Sequence, residues 1–186
     1  GVDVRVGHAA DNVGDVTFVT RSTAVPDGNP ECREAVERGL PLLSRAEVLG
    51  AVSTLRNTVA VAGTHGKTTT SSMLALVLRE AGFRPSFVIG GDVNEIGTGA
   101  AWDEGDLFVV EADESDSSFL KLSSRFGVVT NLEPDHLERH GGFQPLVDAF
   151  DRFVDAVDGP VVVGSDDPEG AFFAARHATE TVGTAD

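Results

Sequence analysis

The sequence predicts an α/β fold, a doubly wound and mainly parallel sheet preceded by part of another domain. Three observations predict it. The short apolar runs TVAVA (58–62), LFVVEA (107–112), FGVVTN (126–131) and PVVVG (160–164) are nearly continuous, as in strands buried on both faces of a parallel sheet. Between several of them the apolar spacing becomes helical, so strands alternate with helices. With 41% hydrophobic residues in 186, the chain has enough apolar surface to bury a core.

Taken in order, strands are expected near 2–6 and 15–20, followed by helices near 30–38 and 44–54. This is about one and a half β-α units, too little sheet for an ordinary domain, so residues 1–55 are expected to be the later part of a domain whose beginning precedes Gly1. A boundary falls at STLRN (53–57), and residues 56–186 open a new unit. Its strands are expected near 58–62, 86–90, 106–111, 126–130 and 160–164, with helices near 67–81, 143–157 and 168–177. No internal repeat or low-complexity tract interrupts this order.

Composition removes several functions. Thirty acidic against 14 basic residues give a net charge of -16, which repels nucleic acids and anionic lipid surfaces. No apolar run approaches the ~20 residues of a membrane helix, so no membrane partner is expected. The single cysteine, Cys32, excludes an internal disulfide framework and suits a reducing cytoplasm.

The stretch VAVAGTHGKTTTSSM (59–73) places a glycine-rich turn between a buried strand and a helix. Such a turn aims unpaired backbone N–H groups into one concavity at the positive end of the helix dipole. Gly63 and Gly66 permit the tight path, Lys67 can reach the β/γ-phosphates of a nucleotide, and the Thr68 hydroxyl is placed to ligate Mg²⁺. The loop departs from GxxxxGK[ST], because Val61 stands five residues before Gly66. The competing reading is a plain glycine turn with a capping threonine. Lys67 is one of only two lysines in the chain, the other being Lys121.

Two further clusters follow apolar strands. In VVEADESDSSFL (109–120), Glu111 emerges beside the phosphate loop if its strand neighbours 58–62, since ligands lie beyond the carboxyl ends of strands in open α/β sheets. Asp113, Glu114 and Asp116 read equally as a charged, solvated turn. In VVTNLEPDHLERH (128–140), the spacing HLERH invites a zinc-protease reading, but that motif needs glutamate directly after the first histidine, where Leu137 stands. His140 is left without a role. A GTPase-type switch is disfavoured, since neither DxxG after a strand nor NKxD is present.

AGTHGKTTT, EADESDSSFL and Thr130-Asn131 with Asp135-His136 together resemble the Mur ligase family, ATP-dependent enzymes that add amino acids to the peptidoglycan precursor. The resemblance covers nearly the whole chain and implies that 56–186 is the N-terminal part of a P-loop-type ATPase domain, with ATP on Gly63, Thr64, His65, Gly66, Lys67, Thr68, Thr69 and Asn131. It implies Mg²⁺ on Thr68, Glu111 and His136, and Lys67, Glu111 and His136 as the catalytic set. Histidine at 65, where most branches carry asparagine, resembles the alanine-adding and recycling branches, so His65 marks the branch rather than performing chemistry. Other branches carry a carbamylated lysine at the position of Asp151, which is expected to be an exposed helix acid. GH at 7–8, STAVP at 22–26 and NPE at 29–31 resemble the later half of the family's Rossmann-like UDP-binding domain, which residues 1–55 are then expected to be, with His8, Ser22 and Thr23 near a UDP-sugar pocket or in local turns.

The implied reaction joins L-alanine to UDP-N-acetylmuramate through an acyl phosphate, in the cytoplasm and with no obligate protein partner. Two alternatives stay open: a ligase that attaches a preformed tripeptide, and a nucleotide-binding fragment without turnover.

Overall fold

The computed structural model describes residues 2–93, 96–114, 118–135, 137, 141–177 and 180–183. The chain divides into two units, Gly1–Leu49 and Gly50–Asp186.

In the first unit, β1 (Val19–Arg21) pairs in parallel with β2 (Leu42–Ser44), in the register Val19 to Leu42 and Arg21 to Ser44. Between them lies α1 (Pro30–Glu37), where Pro30 pre-sets the first helical φ and the Asn29 side chain accepts the Glu31 N–H at 2.9 Å. Helix α2 (Arg45–Ser53) starts from a reciprocal cap: the Ser44 N–H donates to the Glu47 carboxylate at 2.7 Å, and the Glu47 N–H donates to Ser44 Oγ at 3.2 Å. Residues 2–6 form no strand, contrary to the sequence expectation; Val2, Val4 and Val6 are 80–102% exposed. VDVRV has the alternation of a strand, but among the described residues no strand pairs with it. The strand expected at 15–20 is confined to Val19–Arg21, and β2 was not anticipated.

The second unit is built on β3 (Asn57–Ala62), β4 (Ser86–Val93), β5 (Thr98–Ala101), β6 (Leu107–Glu111), β7 (Phe126–Val129), β8 (Val161–Gly164) and β9 (Glu180–Val182). They form one sheet in the order β5-β4-β6-β3-β7-β8-β9, parallel throughout except for β4–β5. The helices are α3 (Lys67–Glu80), α4 (Phe143–Ala156) and α5 (Pro168–His177). From β3 the chain moves through α3 towards β4, whereas from β7 it moves through α4 towards β8 on the other side. Right-handed crossovers therefore put α3 on one face and α4 on the opposite one, the doubly wound arrangement. The α3 face packs Ala75 against Phe87, Ile89, Val93 and Val109. In a second cluster, Phe150 of α4 meets Phe119 at 5.5 Å and Phe173 of α5 at 6.4 Å between ring centroids, and Phe119 stacks on Phe153 at 5.3 Å.

Register sets the position of the site. Val61 pairs with Glu111 and Ala62 with Val129, so β3, β6 and β7 end at the same level. The connections leave β3 and β7 in opposite directions, which opens a crevice beyond their carboxyl ends.

Candidate functional site

The residues between β3 and α3 are held by the segment that follows β7. Gly63 has φ +135°, and a Cβ there would overlap the Thr130 hydroxyl, so only glycine fits against β7. Thr64 is buried; its N–H donates to Asn131 O at 3.2 Å, and its hydroxyl donates to Glu133 O at 3.2 Å and accepts the Glu133 N–H at 3.0 Å. Asn131 clamps His65 from both ends of its amide, Oδ1 accepting the His65 N–H at 2.8 Å and Nδ2 donating to His65 O at 3.1 Å. The Thr130 hydroxyl also donates to His65 O, at 2.5 Å.

Gly66 has φ +79° and open space where a Cβ would stand, and α3 has no side-chain cap. The first helical bond runs from the Thr70 N–H to Gly66 O at 2.9 Å. Among the described residues the N–H groups of Gly66, Lys67, Thr68 and Thr69 meet no acceptor. Exposed N–H groups at the positive end of a 14-residue helix form an anion cradle.

Oxygen donors stand beside that cradle. The Thr68 hydroxyl donates to Glu111 Oε1 at 3.0 Å, and the Gly90 N–H donates to Glu111 Oε2 at 2.7 Å. Gly90 permits this approach, since a Cβ would lie 3.1 Å from both carboxylate oxygens. A hydroxyl next to a carboxylate suits a hard cation such as Mg²⁺, which keeps waters and phosphate oxygens for the rest of its shell. Among the described residues no group of three His, Cys, Asp or Glu side chains is placed to hold a metal.

Lys67 curls over its own loop. Its ammonium donates to Gly63 O at 2.6 Å, to Thr64 O at 3.2 Å and to Glu114 Oε1 at 3.1 Å. Glu114 Oε2 is 2.9 Å from the same nitrogen but outside hydrogen-bond geometry, so the pair is one ion contact with one aligned hydrogen bond. Glu114 is buried, which corrects its reading as part of a solvated turn.

Lys67, Thr68, Glu111 and Asn131 thus gather with residues 63–66 at one end of the sheet. Thr69 is exposed on the first turn of α3. The imidazole of His65 faces Glu133 and Asp135, at 4.0 and 3.6 Å from their carboxylates. His136, His140 and Asp116 lie outside the described residues. Asp151 is not the exposed acid expected: it binds Arg176 and His177 of α5 at 2.7 and 2.8 Å and ties α4 to α5. In the first unit, Ser22 and Thr23 line a pocket of about 310 Å³, whereas His8 pairs with Glu31 at 3.3 Å. Sequence reasoning missed Glu114 and Gly90 and gave Thr130 no site role; the paired glycines of VIGGD at the end of an apolar run were the one available signal for Gly90.

Residues 61–185 match the family model described as the Mur ligase middle domain, and residues 1–56 match the Mur ligase family catalytic domain. A UDP-N-acetylmuramate–L-alanine ligase of Thermobifida fusca is 52% identical over 168 residues, which is 90% of this chain and 36% of that protein. The crystal structure of a UDP-N-acetylmuramate-alanine ligase from Thermotoga maritima superposes with a TM-score of 0.83 at 30% identity, covering 97% of this chain and 42% of that one. A UDP-N-acetylmuramate:L-alanyl-gamma-D-glutamyl-meso-diaminopimelate ligase from Neisseria meningitides gives 0.78 at 28% identity, covering 95% and 61%. The chain therefore spans well under half the length of the two alanine ligases.

Proposed function

This chain belongs to the Mur ligase family, and on that premise we propose that it supplies the phosphate- and metal-holding part of an ATP-dependent ligase that joins L-alanine to UDP-N-acetylmuramate. The observation that carries the proposal is the contact of the Thr68 hydroxyl with Glu111 at 3.0 Å, directly beside the uncapped start of α3. There the N–H groups of residues 66–69 would bind phosphate oxygens, and Lys67 would add a point charge. Thr68 and Glu111 would hold Mg²⁺, with His136 as a further ligand or water-orienter. When bound, the ion would neutralise charge on the β/γ-phosphates. Asn131 and Thr130 would keep the loop in shape, so that little reorganisation is needed as charge shifts in the transition state.

Phosphoryl transfer leaves the protein mainly positioning and electrostatic stabilisation. The lactyl carboxylate of UDP-N-acetylmuramate would attack the γ-phosphorus and release ADP, giving an acyl phosphate. The amine of L-alanine would then add to the acyl carbon, and phosphate would leave as the amide forms. The proposed setting is the cytoplasm, supported by the single cysteine; among the described residues no helix is long and apolar enough to cross a membrane.

Alanine is favoured over a preformed tripeptide because the 52% identical relative bears the alanine-ligase name. Lys67→Ala tests the loop directly. In a protein of the relatives' full length carrying these residues, with UDP-N-acetylmuramate, L-alanine, ATP and Mg²⁺, the substitution is expected to abolish ADP release. Undiminished turnover would remove the loop's assigned role.

A further inference from the structure

The three acceptors of Lys67 are of two kinds. The carbonyls of Gly63 and Thr64, at 2.6 and 3.2 Å, belong to the loop and are fixed with it. The third acceptor, Glu114, is a carboxylate supplied from beyond the end of β6, with its oxygens at 3.1 and 2.9 Å. The paired side chains are only 14% and 7% exposed, so solvent screens the attraction far less than at an open surface. An ammonium has three N–H groups, and these contacts use all of them. Backbone N–H groups at the start of α3 await an acceptor, but the lysine has none to spare. The other carboxylate at the site, Glu111, is engaged by the Thr68 hydroxyl and the Gly90 N–H, one on each oxygen.

From this contrast we infer that Glu114 is a positioning residue that takes the place of a phosphate oxygen on Lys67. It holds the ammonium against the loop before nucleotide binds. When nucleotide binds, Glu114 yields one N–H to a phosphate oxygen while the two bonds to loop carbonyls persist. The inference rests on the nucleotide reading proposed above. Two consequences follow. A buried ammonium keeps a partner in both states, which avoids the penalty of an unpaired buried charge. The apparent affinity for nucleotide is lowered by the fraction of molecules in which Lys67 is free to receive it, so removing the competitor tightens binding.

Glu114→Gln keeps the side chain's shape and a carbonyl acceptor but removes the charge. In calorimetric titrations with magnesium–ADP, the variant is expected to bind about tenfold tighter than the wild type. A merely structural role would lower thermal stability and weaken binding; affinity that is unchanged or weaker in the folded variant overturns the inference. The wild-type protein gives an independent reading if the variant fails to fold. In crystals soaked with magnesium–ADP, the Lys67 ammonium should contact a phosphate oxygen and retain Gly63 O and Thr64 O, with Glu114 beyond hydrogen-bond reach. An ammonium still bonded to Glu114 in the loaded crystal overturns the exchange. If wild-type protein binds no ADP, the nucleotide reading falls and takes this inference with it; if it binds and Lys67→Ala does not, while Glu114→Gln shows no tightening, only the role of Glu114 falls.

Discussion

Gly63 and Thr130 lie in adjoining strand ends and depend on each other's size. The left-handed φ of Gly63 and the Thr130 hydroxyl facing it leave no room for a methyl group. Gly63→Ala is therefore expected to destabilise the protein by about 2–4 kcal/mol, through strain and steric displacement of the loop, as read by urea denaturation. Nucleotide binding should be lost with it even where the fold persists. Gly63, Lys67 and Thr68 were legible because a strand, a glycine turn and a helix start with lysine and threonine have few other uses. Glu114 was not. Four acids within six residues look alike in a sequence, and the burial of one of them against Lys67 is decided by how the segment after β6 packs beside the loop.

At the scale of elements, the apolar strands of the sheet and the helices were legible, and the weakly apolar strands at its edges were not. β3, β6, β7 and β8 carry unbroken apolar runs that suit only a sheet covered on both faces. β5 reads TGAA and β9 reads ETV, each too weakly apolar to stand out; they exist because a neighbouring strand offers backbone partners. The converse error is VDVRV, which has strand alternation but pairs with no strand among the described residues. Asp151 shows the same limit for helices, since its ties to Arg176 and His177 require α4 and α5 to be adjacent. The aromatic layer beneath those helices gives a direct test. Phe150 is fully buried between Phe119 and Phe173, so Phe150→Ala should cost about 3–5 kcal/mol, measured by chemical denaturation.

For the whole molecule, parallel pairing aligns the ends of β3, β6 and β7, and opposed connections open a crevice there. That arrangement brings the Glu111 carboxylate, at the end of β6, to the helix start that carries the Lys67 ammonium and the Thr68 hydroxyl. The net charge of -16 makes such a concentration of N–H donors and Lys67 a local exception, suited to an anion that arrives with its own cation. Titration of ADP with and without Mg²⁺, in the wild type and in Glu111→Gln, tests this convergence most directly. Mg²⁺ should strengthen ADP binding by about tenfold or more in the wild type, and that gain should vanish in the variant while metal-free binding persists. An equal gain from Mg²⁺ in both proteins would contradict the account.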